Sequence, residues 1–262
     1  MREMISWDPL WPREVELSVE EVPISPLDNI LHDDKLGDQV AHRERLPVVR
    51  VWRHLPVTGL VVSRRDVAGP AGQAAMARME SEGWPLFVRS TGGTAVPHGE
   101  GMLNFSLVFP RQAEGATTDR YYRLLCQPLV EWLRGLGLDA EMTDVPGSYC
   151  DGNYNVAIGG RKVVGTAQAW RGGLAGMASR HPGYVLAHGC ISVSPDLDAA
   201  IAAIQRFYRY AGRDEVRIER DKATTLAEAS REPWTSGDAK ASLVKFLLKR
   251  LPEVGVTPRF SP

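Results

Sequence analysis

The chain has 262 residues, 44% of them hydrophobic, enough to bury a sizeable core as one large domain or one domain plus an extension. Its 31 basic and 32 acidic side chains leave a formal net charge of −1, so no basic excess points to nucleic acid, and no apolar run reaches membrane-spanning length. The opening MREMISWDPLWPREVELSVEEVP carries acids and prolines instead of a signal-peptide core, and three scattered cysteines predict reduced thiols in a cytoplasm, with no zinc spacing.

In chain order, residues up to about 45 read as an irregular arm with a short helix around Ser25 to Leu36, followed by strands at 48–54 and 58–64. A helix over 70–83 starts at Pro70 and stops at Gly83. Val88 to Phe109 reads as a strand end, a loop with glycines at 92, 93, 99 and 101, and a strand in which Leu103, Phe105, Leu107 and Phe109 alternate with Asn104, Ser106 and Val108. The helix Thr118–Leu136 gathers Tyr121, Leu124, Leu125, Leu129, Trp132, Leu133 and Leu136 on one stripe.

Strands follow at 139–143, 154–158, 162–170 and 184–193, then a helix from Pro195 to about Tyr210. Arg171 to Pro182 is glycine-rich and reads either as a loop that orders over a ligand or as a plain surface excursion. Asp238 to Leu251 is an amphipathic helix, predicted to pack on the main domain. The pattern predicts an α+β fold, helices packed on a mostly antiparallel or mixed sheet.

Two segments carry chemistry. Cys150 and Lys162 flank a short apolar strand and the Gly159-Gly160 turn, so a hairpin would bring the amine beside the residues that follow the thiol. A cation near a thiol favours the nucleophilic thiolate; the ordinary alternative is an inert half-buried cysteine and a solvated lysine. The Gly92-Gly93 loop, preceded by Arg89, can take positive φ and turn backbone N–H groups toward a ligand, though it fits neither the GxxxxGK[ST] nor the GxGxxG pattern. His188 opens a buried strand and is read first as a structural residue, as is His98, while Cys126 and Cys190 read as small buried hydrophobes.

Together, Arg89-Ser90-Thr91-Gly92-Gly93, Leu103-Asn104-Phe105-Ser106 and Gly160-Arg161-Lys162-Val163-Val164-Gly165-Thr166-Ala167-Gln168 resemble, in order and spacing, the lipoate–protein ligase and octanoyltransferase family. His188-Gly189 with Asp196-Leu197, and more weakly Arg50-Val51-Trp52 through Ser63-Arg64, extend the likeness over roughly residues 46 to 210. Tyr149-Cys150-Asp151-Gly152-Asn153-Tyr154 is similar to the cysteine-dependent transferase branch, whereas Asn155 departs from the acidic residue common at that place in ligases and transferases alike.

The resemblance implies a fold like that of class II aminoacyl-tRNA synthetases and biotin ligases, a catalytic domain over 1–212 that includes the N-terminal arm, and a short helical extension over 213–262. It implies Cys150 and Lys162 as catalytic residues, with Arg89, Thr91, Gly92, Gly93, Asn104, Gly165, Thr166, Ala167 and His188 binding substrate and no resident metal. The acyl slot is expected near Val88, Ala95, Leu103 and Ala167. A transferase would pass an octanoyl or lipoyl group through a Cys150 thioester and needs no cofactor. Two alternatives stand: a ligase using ATP and Mg²⁺ with Lys162 at a lipoyl-adenylate, and a noncatalytic acyl-binding homologue. The implied partners are lipoyl-domain acceptors, namely 2-oxoacid dehydrogenase E2 subunits and the glycine-cleavage H protein, with no nucleic acid or membrane.

Overall fold

The computed structural model describes residues 7–20, 22–112, 114–150, 152–173 and 182–260. In chain order the elements are β1 (Glu14–Val19), α1 (Pro26–Ala41), β2 (Val48–Trp52), β3 (Gly59–Ser63), α2 (Gly69–Ser81), β4 (Leu86–Arg89), β5 (Val96–His98) and β6 (Met102–Pro110). They continue with α3 (Thr118–Gly135), β7 (Ala140–Thr143), β8 (Asn155–Ile158), β9 (Arg161–Arg171), β10 (Tyr184–Ser192), α4 (Leu197–Tyr210), α5 (Leu226–Ser230), α6 (Ser236–Glu253) and β11 (Thr257–Phe260).

Eight strands form one mixed sheet in the order β11-β1-β2-β6-β10-β9-β8-β7, and β4-β3-β5 form a small second sheet. In the large sheet β1 runs parallel to β2 and β11, while every other pairing is antiparallel. The fold is therefore α+β with a mixed sheet, as the alternation of strand and helix patterns implied.

Side chains alternate across a strand, so β6 and β10 each present two different surfaces. Leu103, Phe105, Leu107 and Phe109 of β6 join Val185, Ala187 and Ile191 of β10 in a core closed by α3 and α6. The opposite row of β6 carries Asn104 and Ser106, and this surface faces α1 and the small sheet. α4 and α2 complete the second core through Ile201, Ile204, Phe207, Ala75 and Met79.

Two parts of the sequence reading change. The arm expected to be irregular holds β1, whose Val15 and Leu17 are buried on alternating positions between Glu14, Glu16 and Ser18. α1 begins at its Ser25 cap but runs past Leu36 to Ala41 through Gly37, where a Cβ would stand 2.2 Å from the Tyr184 ring. Glycine is tolerated inside this helix because the close approach of the aromatic ring requires it.

The segment from 213 onward shares the main core. α6 starts with a capping box between Thr235 and Asp238 and buries Ala239, Leu243, Leu247 and Leu251 against α3 and β6. Each such leucine stabilises the fold by roughly 1.5–3 kcal/mol. No described helix is long and apolar enough to cross a membrane.

Candidate active site

Gly159 and Gly160, at φ 56° and 74°, make the tight turn between β8 and β9; two consecutive positive φ values match the twist of an antiparallel hairpin. The return strand sets Lys162 opposite Ala157, next to a bulge at Val156/Ala157. The lysine is fully buried, and its Nζ donates to the carbonyl oxygens of Tyr149 at 2.5 Å and Cys150 at 2.6 Å. It also lies 4.8 Å from the centre of the Tyr149 ring. A Cβ at Gly165 would come within 3.2 Å of the lysine's Cε, so the small residue three positions on keeps this space open.

Cys150 adopts φ +50°, a left-handed conformation unusual for a side chain with a Cβ. Its thiol is half-buried and accepts the Thr94 N–H at 3.5 Å. Gly93 sits at φ +90°, and a Cβ there would approach the Cys150 Sγ to 3.0 Å and Arg89 Nη2 to 2.8 Å. Arg89 is buried and holds the glycine loop by its carbonyls. Its Nε and Nη2 donate to Gly92 O at 3.0 and 2.9 Å, and Nη2 donates to Thr94 O at 2.7 Å.

Burial by itself pushes the Cys150 thiol up, but the Lys162 charge, the Arg89 charge and the Thr94 N–H outweigh it, leaving the group below its ordinary value. The other two thiols lack a comparable balance: burial drives Cys126 and Cys190 up to about 12. Of three cysteines, Cys150 is therefore set apart as the one whose surroundings favour the thiolate.

His188 faces Ala167 and Ser106 across β10, and its Nε2 shares a 2.8 Å hydrogen bond with Thr91 Oγ1. Burial, assisted by Arg89, drops its pKa to about 3, so the imidazole is neutral at physiological pH. Asn104 occupies the neighbouring row between Trp52 and Cys190; it is buried, and neither amide atom has a hydrogen-bond partner among the described residues. A narrow cleft opens beside these residues, walled by Ile30, Trp52, Val61 and Leu186 and edged by Thr91 and His188. Only about 20 Å³ of it is wide enough for a water molecule.

The structure thus gathers Cys150, Lys162, Arg89, Gly93 and Gly165 into one cluster, and Thr91, Ala167 and His188 into an adjoining one. Gly92 contributes its carbonyl to Arg89. Thr166 is not brought to the cleft by its side chain: it opposes Gly189, lies one step out of phase with Ala167, and its hydroxyl donates to Tyr154 O. Leu103 is likewise turned away, into the core under α3, because it alternates with Asn104. The cleft wall comes instead from α1, β2, β3 and β10. Thr94 was missed because its contribution is a backbone N–H, which no side-chain pattern marks. Arg171, at the end of β9, donates to Ser90 O at 2.6 Å, but residues 174–181 of the segment read either as a ligand-covering loop or as a surface excursion lie outside the described residues.

Among the described residues no group of three His, Cys, Asp or Glu side chains is placed to hold a metal ion. Residues 25–248 match the family model of the lipoyl protein ligase A/B catalytic domain. The octanoyl-[GcvH]:protein N-octanoyltransferase of Kyrpidia tusciae is 42% identical over 207 residues, covering 78% of this chain and 70% of that protein. The enzyme of the same name from Bacillus velezensis is 32% identical over 238 residues, covering 86% and 78%. The crystal structure of a lipoate-protein ligase A bound with ATP superposes with a TM-score of 0.66 at 21% identity, over 95% of this chain and 88% of that one, which shows a common fold. The chain belongs to the lipoyl protein ligase A/B catalytic domain family.

Proposed function

We propose that this protein transfers an octanoyl or lipoyl group between proteins through a thioester on Cys150. The observation that carries this reading is the thiol itself, half-buried at positive φ, held below its ordinary pKa and flanked by two buried cations. In the first step the Cys150 thiolate attacks the acyl carbonyl on a donor protein. The S–C bond forms, the carbonyl carbon's bond to the donor breaks, and the departing group takes up a proton. In the second step the ε-amine of an acceptor lysine attacks the thioester, the C–S bond breaks, the amine loses a proton and the thiolate is regenerated. The thioester retains the acyl group's activation between steps, so no nucleotide is consumed.

Lys162 and Arg89 have two tasks here. Their charges favour ionisation of the sulfur, and they favour the negative charge that develops on the carbonyl oxygen; one well-placed donor at such an oxygen is worth about 3–4 kcal/mol. The chain would enter between Ile30, Trp52, Val61 and Leu186, whose side chains must part to admit it because the gap between them holds about one water molecule, with about 0.8 kcal/mol gained per buried methylene. Relatives named for octanoyl-[GcvH] support the glycine-cleavage H protein as donor, and the acceptors in this proposal are lipoyl-domain proteins such as E2 subunits.

The ligase alternative would need Lys162 to face a nucleotide. Here its ammonium is directed to two carbonyls of the Cys150 loop and the residue is fully buried, which favours the transferase. Incubation with octanoylated H protein, without nucleotide, is expected to add one octanoyl mass to the intact protein, and Cys150→Ala to abolish both the adduct and transfer. Product that forms only with ATP, Mg²⁺ and free lipoate, and survives Cys150→Ala, would overturn this reading.

A further inference from the structure

The Cys150 sulfur receives a backbone hydrogen bond from Thr94, so the placement of residues 92–95 bears on how well the thiolate is solvated by the protein. Arg89 fixes the near side of that loop through Gly92 O and Thr94 O. The far side is held from elsewhere in the fold. The hydroxyl of Tyr208, on α4, accepts the Ala95 N–H at 2.7 Å and donates to Asp66 Oδ1 at 3.1 Å.

Asp66 is itself immobilised. Its Oδ1 accepts from Arg213 Nη1 at 3.0 Å, and its Oδ2 accepts from the Ser63 N–H at 3.0 Å and the Ser63 hydroxyl at 2.8 Å, tying it to the end of β3. The Arg213 guanidinium also lies 4.5 Å from the centre of the Tyr208 ring, on which it stacks. The ring is packed in the core of α4 against Phe207, so the hydroxyl cannot swing away from Ala95 without disturbing that packing.

We infer that Tyr208 is a positioning residue for the nucleophile, acting through the Ala95 and Thr94 backbone to hold the N–H that stabilises the Cys150 thiolate. This deepens the transferase reading and rests on it for its functional meaning, though its geometry does not. Loss of the hydroxyl acts selectively. Asp66 keeps Ser63 and Arg213 as donors, whereas the Ala95 N–H is left buried without an acceptor and the loop must shift to satisfy it. The other charged or titratable groups facing Cys150 are Lys162 from β9, Arg89 from β4, Cys190 from β10, Tyr122 from α3 and Tyr149 of its own loop, and none of them touches Tyr208.

The test compares Tyr208→Phe with Ile204→Val, which loosens the same helix core without touching the hydrogen-bond chain. Iodoacetamide alkylation of Cys150, read by peptide mass across about pH 6 to 9, is expected to shift its midpoint upward in Tyr208→Phe and to slow roughly three- to tenfold at neutral pH, the size of one lost hydrogen bond. Ile204→Val should overlay the wild type. With octanoylated donor, Tyr208→Phe should lower kcat for adduct formation and leave KM unchanged. An alkylation profile for Tyr208→Phe that superposes on the wild type, or an equal shift in Ile204→Val, would overturn the proposal. Because alkylation needs no acyl donor, a wild-type protein that never acquires an acyl adduct defeats the transferase reading alone, and the alkylation arm still decides the role of Tyr208.

Discussion

The two faces of β6 and β10 are built from the same strands yet follow opposite rules. Toward α3 and α6 every position is apolar and fully buried, Phe105 and Ile191 among them. Toward α1 and the small sheet the rows read Arg50–Ser106–His188–Ala167 and Trp52–Asn104–Cys190–Gly165, in which Arg50, Ser106 and Asn104 are buried polar residues and His188 is half-buried. Burying polar groups costs free energy unless they are paired; Arg50 and Ser106 find partners in Asp33, Asn29 and Trp52, whereas the Asn104 amide has none among the described residues, a polarity that stability alone does not explain. The apolar face holds the protein together, and the polar face is the one that the proposed transfer would use.

The comparison breaks if a cut on the apolar side damages turnover more than folding. Phe105→Ala removes a fully buried ring and is expected to cost about 3–5 kcal/mol of unfolding free energy, measured by urea titration, while transfer per folded molecule stays near wild type. On the polar side the expectation reverses. Lys162→Met keeps the volume but removes the cation that binds the Tyr149 and Cys150 carbonyls; the Cys150 alkylation midpoint should rise and the rate of thioester formation fall by about 100-fold. A Lys162→Met protein that alkylates and turns over like the wild type would erase the distinction between the faces.

The gentlest difference near neutrality lies in acid sensitivity. His54 and His188 are held at about 3 and His98 is pushed well down, all chiefly by burial, against an ordinary histidine value of 6.5. Below pH 6.5 the unfolded chain takes up protons that the folded chain refuses until about pH 3, so stability must decline as pH falls through that window. His188→Gln cannot titrate and should show a flatter decline in urea midpoint than the wild type, whereas Phe105→Ala should lower the whole curve without changing its slope.

Much of this division was legible in the sequence because it is local. The Leu103–Phe109 alternation assigns a surface to each residue of β6, and the stripe on α3 places that helix over the apolar one. The Gly159-Gly160 turn fixed the register that carries Lys162 toward the Cys150 loop. What escaped was set by contacts between distant segments. Nothing near Lys162 says that its ammonium binds carbonyls and acts on the sulfur through space, and nothing near Ile30 or Val61 says that they wall a cleft with Leu186. β1 was missed despite its alternation because acids and prolines surround it, and β11 because Pro258 interrupts a short, exposed strand.

The pairing of β1 with β11 has a consequence for how the molecule is made. Glu14 meets Thr257, so this rim of the sheet can be zipped only when almost the entire described polypeptide has been synthesised. Until then β1 is the open border of the sheet; afterwards the border is the short β11, whose Pro258 has no N–H to offer another strand, and such distant pairing slows maturation.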